Sequence, residues 1–144
     1  MPLTAPQDIS DLLNQTRTIA LVGISDRPDR PSYGVMKELQ DHGYRVLPVN
    51  PQLAGEHVHG EFVWNGLADI GVPIDMVDIF RNSAAAAEAV DDAIAAGAKA
   101  VWMQLGVVNQ EAAARAEAAG LKVVMDHCPV IEIRRLGLSP IASE

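Results

Sequence analysis

A glycine, two serines and a pair of arginines fall where an apolar run gives way to a polar loop. Residues 18–24 (TIALVGI) lead through Gly23-Ile24-Ser25 into a loop carrying Arg27 and Arg30, and then into Ser32-Tyr33-Gly34. Glycine at position 23 lets the backbone turn tightly beneath a ligand. Ser32 is placed to cap a helix. The first free amides of that helix, near Tyr33, Gly34 and Val35, would face the same crevice with the positive end of the helix dipole. Such an arrangement holds a phosphate without a dedicated side chain, and Arg27 and Arg30 add charge-assisted contacts. The plainer alternative makes the loop a surface connection and Ser32 only a cap.

A nicotinamide dinucleotide site would carry G-x-G-x-x-G and an acidic residue closing the second strand. Here only G-x-S is present, and the second apolar run ends in Val49-Asn50-Pro51, without a carboxylate. Both departures point away from NAD. Arg81 follows the run 74–80, where an arginine serves a ligand or else pairs with Asp78 or Glu88. His42 precedes Gly43 at a helix end, where an imidazole favours the dipole. His57 and His59, with Glu56 and Glu61 nearby, read as an exposed loop rather than a metal set. Trp64 and Trp102 read as packing or a partner surface, Trp102 inside a buried-strand pattern.

Positioning these residues takes strands and helices in alternation. Strands are expected at 18–24, 44–49, 74–80, 98–104 and 121–126, with pairing in the second ending at Pro48. Helices are expected at 32–42, 83–96 and 109–119, each followed by a glycine (Gly43, Gly97, Gly120) suited to the left-handed position past a helix. A short opening helix at 7–15 has Asp8 or Ser10 as cap. Residues 51–73 read mostly as loop, with a short edge strand near 58–63. Val90 and Ile94 form an i, i+4 apolar pair, and the Ala-rich helices suit close packing on a sheet. The pattern predicts one α/β domain over 1–144: an open three-layer sheet of about five parallel strands, ordered 3-2-1-4-5, with helices on both faces. Ligands in such folds sit outside the carboxyl ends of the strands, at the switch between strands 1 and 4. The residues to watch are therefore Gly23 to Ser25, Asn50 and Pro51, 80–83, 104–106 and 126–129.

Composition sets the outer bounds. The 144 residues carry a formal charge of -8, which argues against a nucleic-acid partner. The lone Cys128 excludes an intrachain disulfide and fits a reducing compartment. No apolar run is long enough for a membrane span, and the N-terminal MPLTAPQDISDLLNQTR lacks the basic and apolar regions of a signal peptide. The expectation is a cytoplasmic protein with no membrane partner.

In order, the segments GISDRPDRPSYGV, VNP, VDIFR, AVWMQLGVVN and VVMDHCP resemble the small stand-alone coenzyme A-binding proteins. These are related to the N-terminal domain of the succinyl-CoA synthetase alpha subunit. The resemblance runs from about residue 10 to about residue 135. It implies a Rossmann-like fold holding coenzyme A. Gly23, Ile24 and Ser25 would line the pyrophosphate side, with Ser32, Tyr33 and Gly34 at the helix start. Val49, Asn50 and Pro51 would flank the adenine-ribose end, and Phe80, Arg81 and Asn82 would frame the crevice. Gln104 and Gly106 would lie near the pantetheine path. One departure matters: where the synthetase subunit has a lysine after strand 2, this sequence has Gln52, with no lysine until Lys99. A 3′-phosphate then falls to Arg27, Arg30 or Arg81.

For catalysis, Asp126-His127-Cys128 is the best constellation. A thiol beside an imidazole is a nucleophile, or a partner for the thiol of coenzyme A. Neighbours on an extended segment point to opposite sides, however, and a lone cysteine is more often a small buried residue. Nothing here matches the phosphorylated-histidine domain or the nucleotide-grasp partner of a synthetase. The reading is a non-catalytic domain binding coenzyme A or an acyl-CoA as a carrier, sensor or subunit, with a homodimer or a protein partner left open. The alternatives are an NAD(P)-dependent oxidoreductase domain and an interaction module with a vestigial crevice.

Overall fold

Alternation along the strands separates two cores. The computed structural model describes residues 1–141. In β1 (Thr18–Val22), Ala20 and Val22 face one side of the sheet while Ile19 and Leu21 face the other, as the two-residue period of a strand requires. β2 (Arg45–Val49) follows, then a small separate hairpin of β3 (His57–Val58) and β4 (Glu61–Phe62). β5 (Met76–Ile79), β6 (Ala100–Met103) and β7 (Lys122–Val124) complete a five-stranded parallel sheet. α1 (Pro6–Gln15), α2 (Pro31–Asp41) and α5 (Pro129–Leu136) cover the face that holds Leu21 and the fully buried Trp102. α3 (Ser83–Ala95) and α4 (Gln110–Ala118) cover the other, where Ala86, Ala89, Ala93, Ala112, Ala113 and Ala116 let two helices pack closely. The three-layer α/β fold is as expected. Each fully buried Leu, Ile or Val contributes about 1.5–3 kcal/mol to it.

The strand order is not. Numbered in chain order, the five strands of the sheet lie 2-1-3-4-5, with β5 between β1 and β6. The place beyond β2 is taken by Trp64, which makes a single parallel bridge to Val49 and exchanges hydrogen bonds with Pro48 and Asn50. With that edge occupied, β5 crosses to the far side of β1. There its four residues, all completely buried, are paired on both edges. So apolar a strand at an edge would invite pairing with another chain. Nor does pairing stop at Pro48: the register with β1 runs on to Val49. The Pro48 carbonyl accepts from Trp64, so its ring nitrogen faces the outer edge, where a ladder donor is least missed.

Helix starts differ from expectation in one consistent way. α1 is capped by Ala5 and α2 by Arg30, without side-chain cap bonds, because proline at the start presets φ and has no amide to satisfy. Asp8, Ser10 and Ser32 are therefore not caps. Asn82 and Asn109 are: their side-chain oxygens accept from Ala85 N at 2.8 Å and Ala112 N at 3.0 Å. Gly43, Gly97 and Gly120 do follow their helices with positive φ. The eight-residue α5 lies where no helix is expected.

Gly23 fixes how β1 leaves the sheet. Its φ is 93°, and a Cβ there would collide with the Phe80 carbonyl oxygen. Its amide donates to Val49 O at 2.9 Å, while Phe80 N donates to Val22 O at 2.8 Å. Gly23→Ala adds both positive-φ strain and this clash. It should lower stability by more than about 2 kcal/mol in urea unfolding; a wild-type midpoint would contradict the assignment.

Candidate functional site

At the carboxyl ends of the strands the β1–α2 loop, the ends of β2, β5 and β6, and α5 enclose a cleft of about 820 Å³, a volume typical of ligand sites. Of the residues expected there, Gly23, Ile24, Ser25, Arg27, Arg30, Ser32, Asn50, Phe80, Arg81, Asn82 and Gln104 line it. Tyr33, Gly34, Val49, Pro51 and Gly106 do not. Tyr33 leans on His59 instead, with ring centroids 4.1 Å apart, and its carbonyl accepts from His59 Nε2 at 2.7 Å. Gly34 is exposed on α2, and Val49 is buried in the core. Pro51 borders a smaller hollow with Val22 and Asn65. Gly106 turns outward to donate to Asp126 Oδ1 at 2.7 Å.

Several expected ligand groups are already committed within the fold. The Gly23 amide serves Val49, and the Tyr33 amide donates to Arg30 O at 3.1 Å. Asn50 donates from Nδ2 to Ile24 O at 2.8 Å and accepts from Gln52 N at 2.9 Å, so it braces the ends of β1 and β2. Ser32 is 4% exposed, and its Oγ accepts from Ser25 N at 3.0 Å. Its hydroxyl proton finds no acceptor among the described residues and is free for a ligand. Arg27 pairs with Asp29 at 3.3 Å, and Arg134 with Glu38. Among the described residues Arg30 and Arg81 have no acidic partner. Arg81 pairs with neither Asp78 nor Glu88.

Sequence reasoning missed the α5 wall. Val130, Ile131 and Arg134 line the cleft, as does Cys128 just before them. The signals were present: Pro129 at the first helical position, Glu132 in the first turn, Arg134 and Arg135 in the last, and Gly137 beyond at φ 63°. Cys128 faces the cleft at 5% exposure, but His127 does not line it. Its Nδ1 donates to Met125 O at 2.7 Å, so thiol and imidazole are on different sides of the chain. His42 does not act as a helix-end cation either. Its Nε2 is buried without a partner among the described residues, and burial lowers its pKa.

Residues 17–134 match the model of a family described as a CoA binding domain. The chain belongs to this CoA-binding family. It is 38% identical over 121 residues to YneT, an uncharacterized protein of Bacillus subtilis, covering 84% of this chain and 88% of that one. A hypothetical protein from Pyrococcus horikoshii OT3 has the same fold at a TM-score of 0.88 and 40% identity, over 94% of this chain and 96% of that one. A dinucleotide-forming acetyl-coenzyme A synthetase from Ca. Korarchaeum cryptofilum shares the fold alone, at 23% identity and a TM-score of 0.70. The match covers 83% of this chain and 27% of the synthetase. No described helix of this family member is long and apolar enough to cross a membrane.

Beneath the cleft floor lies Asp78, fully buried on β5. The end of the Gln104 side-chain amide lies against both its carboxyl oxygens, 2.7 Å from Oδ1 and 3.0 Å from Oδ2. One amide replaces little of a carboxylate's hydration, and burial holds the Asp78 pKa well above the usual carboxylate range. The native state therefore binds this proton more tightly than the unfolded chain. Stability from Asp78 is complete below the unfolded pKa and is lost as pH rises toward the folded one. Asp78→Asn removes that loss. Relative to wild type, the variant should gain up to about 1.4 kcal/mol per pH unit above about pH 4. Urea unfolding at pH 5 and pH 8 checks this; a difference that does not change with pH would contradict it.

Proposed function

We propose that the domain binds coenzyme A or an acyl-CoA in this cleft and acts as a holder, as carrier, sensor or subunit, rather than as a catalyst. The observation that carries the reading is the polarity of the cleft. Toward β1 and β5 stand Arg30 and Arg81, cations without acidic partners among the described residues, with the Ser32 hydroxyl, whose proton finds no acceptor among them. Toward β6, β7 and α5 stand Leu105, Val107, Cys128, Val130 and Ile131. Coenzyme A has that same division, a phosphate-rich nucleotide at one end and a long uncharged pantetheine arm at the other. Membership of the CoA-binding family supports the same ligand. The role as a holder is supported by the separation of His127 from Cys128, which leaves the thiol without an imidazole beside it in the cleft.

Phosphate contacts then fall to Arg30 and Arg81, since Arg27 and Arg134 are engaged with Asp29 and Glu38. Arg81→Ala and Arg30→Ala should each weaken coenzyme A binding by about 1.5–3 kcal/mol, and Arg27→Ala by less. Calorimetric titration with coenzyme A and its 3′-dephospho form checks this. The arginine that holds the 3′-phosphate is the one whose removal leaves affinity for the dephospho form unchanged. Wild-type affinity in both variants would contradict the assignment.

A further inference from the structure

Phosphate binding accounts for the polar side of the cleft and leaves the apolar side unexplained. That side has a buried part and an exposed part. Val107, Cys128 and Val130 are buried, whereas Leu105 and Ile131, which line the same cleft, are 58% and 45% exposed. Leu105 sits in the turn after β6 and Ile131 in the first turn of α5, so the two come from separate elements. A single exposed leucine is ordinary and needs no explanation. Two large apolar side chains, brought from separate elements to the mouth of one cleft, mark a surface that an apolar group covers.

What covers it follows from how the ligand lies. Coenzyme A with its phosphates at Arg30 and Arg81 brings its pantetheine arm, and the sulfur at the end of that arm, to the apolar side. Free coenzyme A stops there at a thiol. A thioester continues past the sulfur with an acyl chain, which is the part able to cover Leu105 and Ile131. The charge at this lip bears on the kind of acid. Arg134, three residues along α5 from Ile131, also lines the cleft, but it is paired with Glu38 and so is not free to receive an acyl carboxylate. We propose that the lip formed by Leu105 and Ile131 selects a coenzyme A thioester of an uncharged, apolar acid over free coenzyme A. The inference rests on the coenzyme A reading above and narrows its ligand.

The test is calorimetry of the full chain with coenzyme A and its acetyl, butyryl, hexanoyl and succinyl thioesters. The proteins are wild type, Leu105→Ser, Ile131→Ser and the double variant. Each methylene that leaves water adds up to about fourfold in affinity. Wild type should therefore bind hexanoyl-CoA about tenfold or more tightly than coenzyme A, with affinity rising along the series. Succinyl-CoA, as long as the butyryl thioester but charged, should gain nothing over coenzyme A. The ratio of hexanoyl-CoA to coenzyme A affinity is read within each protein, so a change in the hold on coenzyme A itself cancels. In the double variant that ratio should fall to within about twofold of unity. Both side chains are exposed, so the variants should keep the fold. Thermal melting checks this, and the single variants carry the comparison if the double variant melts early. Coenzyme A binding with no rise along the series overturns the inference and leaves the coenzyme A reading standing. So does a rise that survives in the folded variants, or a gain for succinyl-CoA equal to that for the butyryl thioester. Absence of binding by any of these ligands to the wild-type protein overturns the ligand reading and this inference together.

Discussion

Where β1 and β5 stop, their backbones approach so closely that Gly23 has no room for a side chain against the Phe80 carbonyl. That contact sends the chain out of the sheet in a left-handed turn, and the strand-end loops are tied together around it. Gly23 bonds to the end of β2, Asn50 reaches back to Ile24, and Ser25 bonds to Ser32 at the start of α2. On the other side Ser83 receives the Val108 amide, and Asp126 receives that of Gly106. A cleft floor braced laterally in this way loses little freedom when a ligand settles on it, which is the physical meaning of preorganisation.

The same bracing explains why the site differs from its simplest sequence reading. Amides that look free on paper, at Gly23 and Tyr33, are used by the fold itself. What remains for a ligand among the described residues is a smaller set: the Ser32 hydroxyl and the two guanidinium groups of Arg30 and Arg81, which have no acidic partner there. Arg81 also shows how tightly site and scaffold are joined, since a Cβ on Gly23 would lie 3.2 Å from its Cδ.

Much of the fold was legible in the residues because its signals are local. Continuous apolar runs marked the buried parallel strands, and glycines marked three helix ends. Strand order is not local, and there the reading failed. The fully buried β5 was set at the sheet edge, a place filled by the single residue Trp64. The helix caps failed for a related reason: prolines at positions 6 and 31 had already set those starts, so nearby Ser and Asp residues had no cap to make. Of the site, the strand-end residues were legible because parallel sheets bind ligands there. The α5 wall was not, although its start and stop residues are present in the sequence. The ion pairing that separates Arg27 from Arg30 depends on side-chain geometry that spacing does not show.

The central claim is that this end of the sheet, and no other, receives coenzyme A. Amide shifts of ¹⁵N-labelled protein during titration with coenzyme A test it most directly. The account predicts shifts concentrated at Ser25, Ser32, Asn82 and Gln104, with Lys99 and Lys122 at the opposite end of the sheet unmoved. Shifts centred on those lysines, or none at saturating ligand, would contradict it.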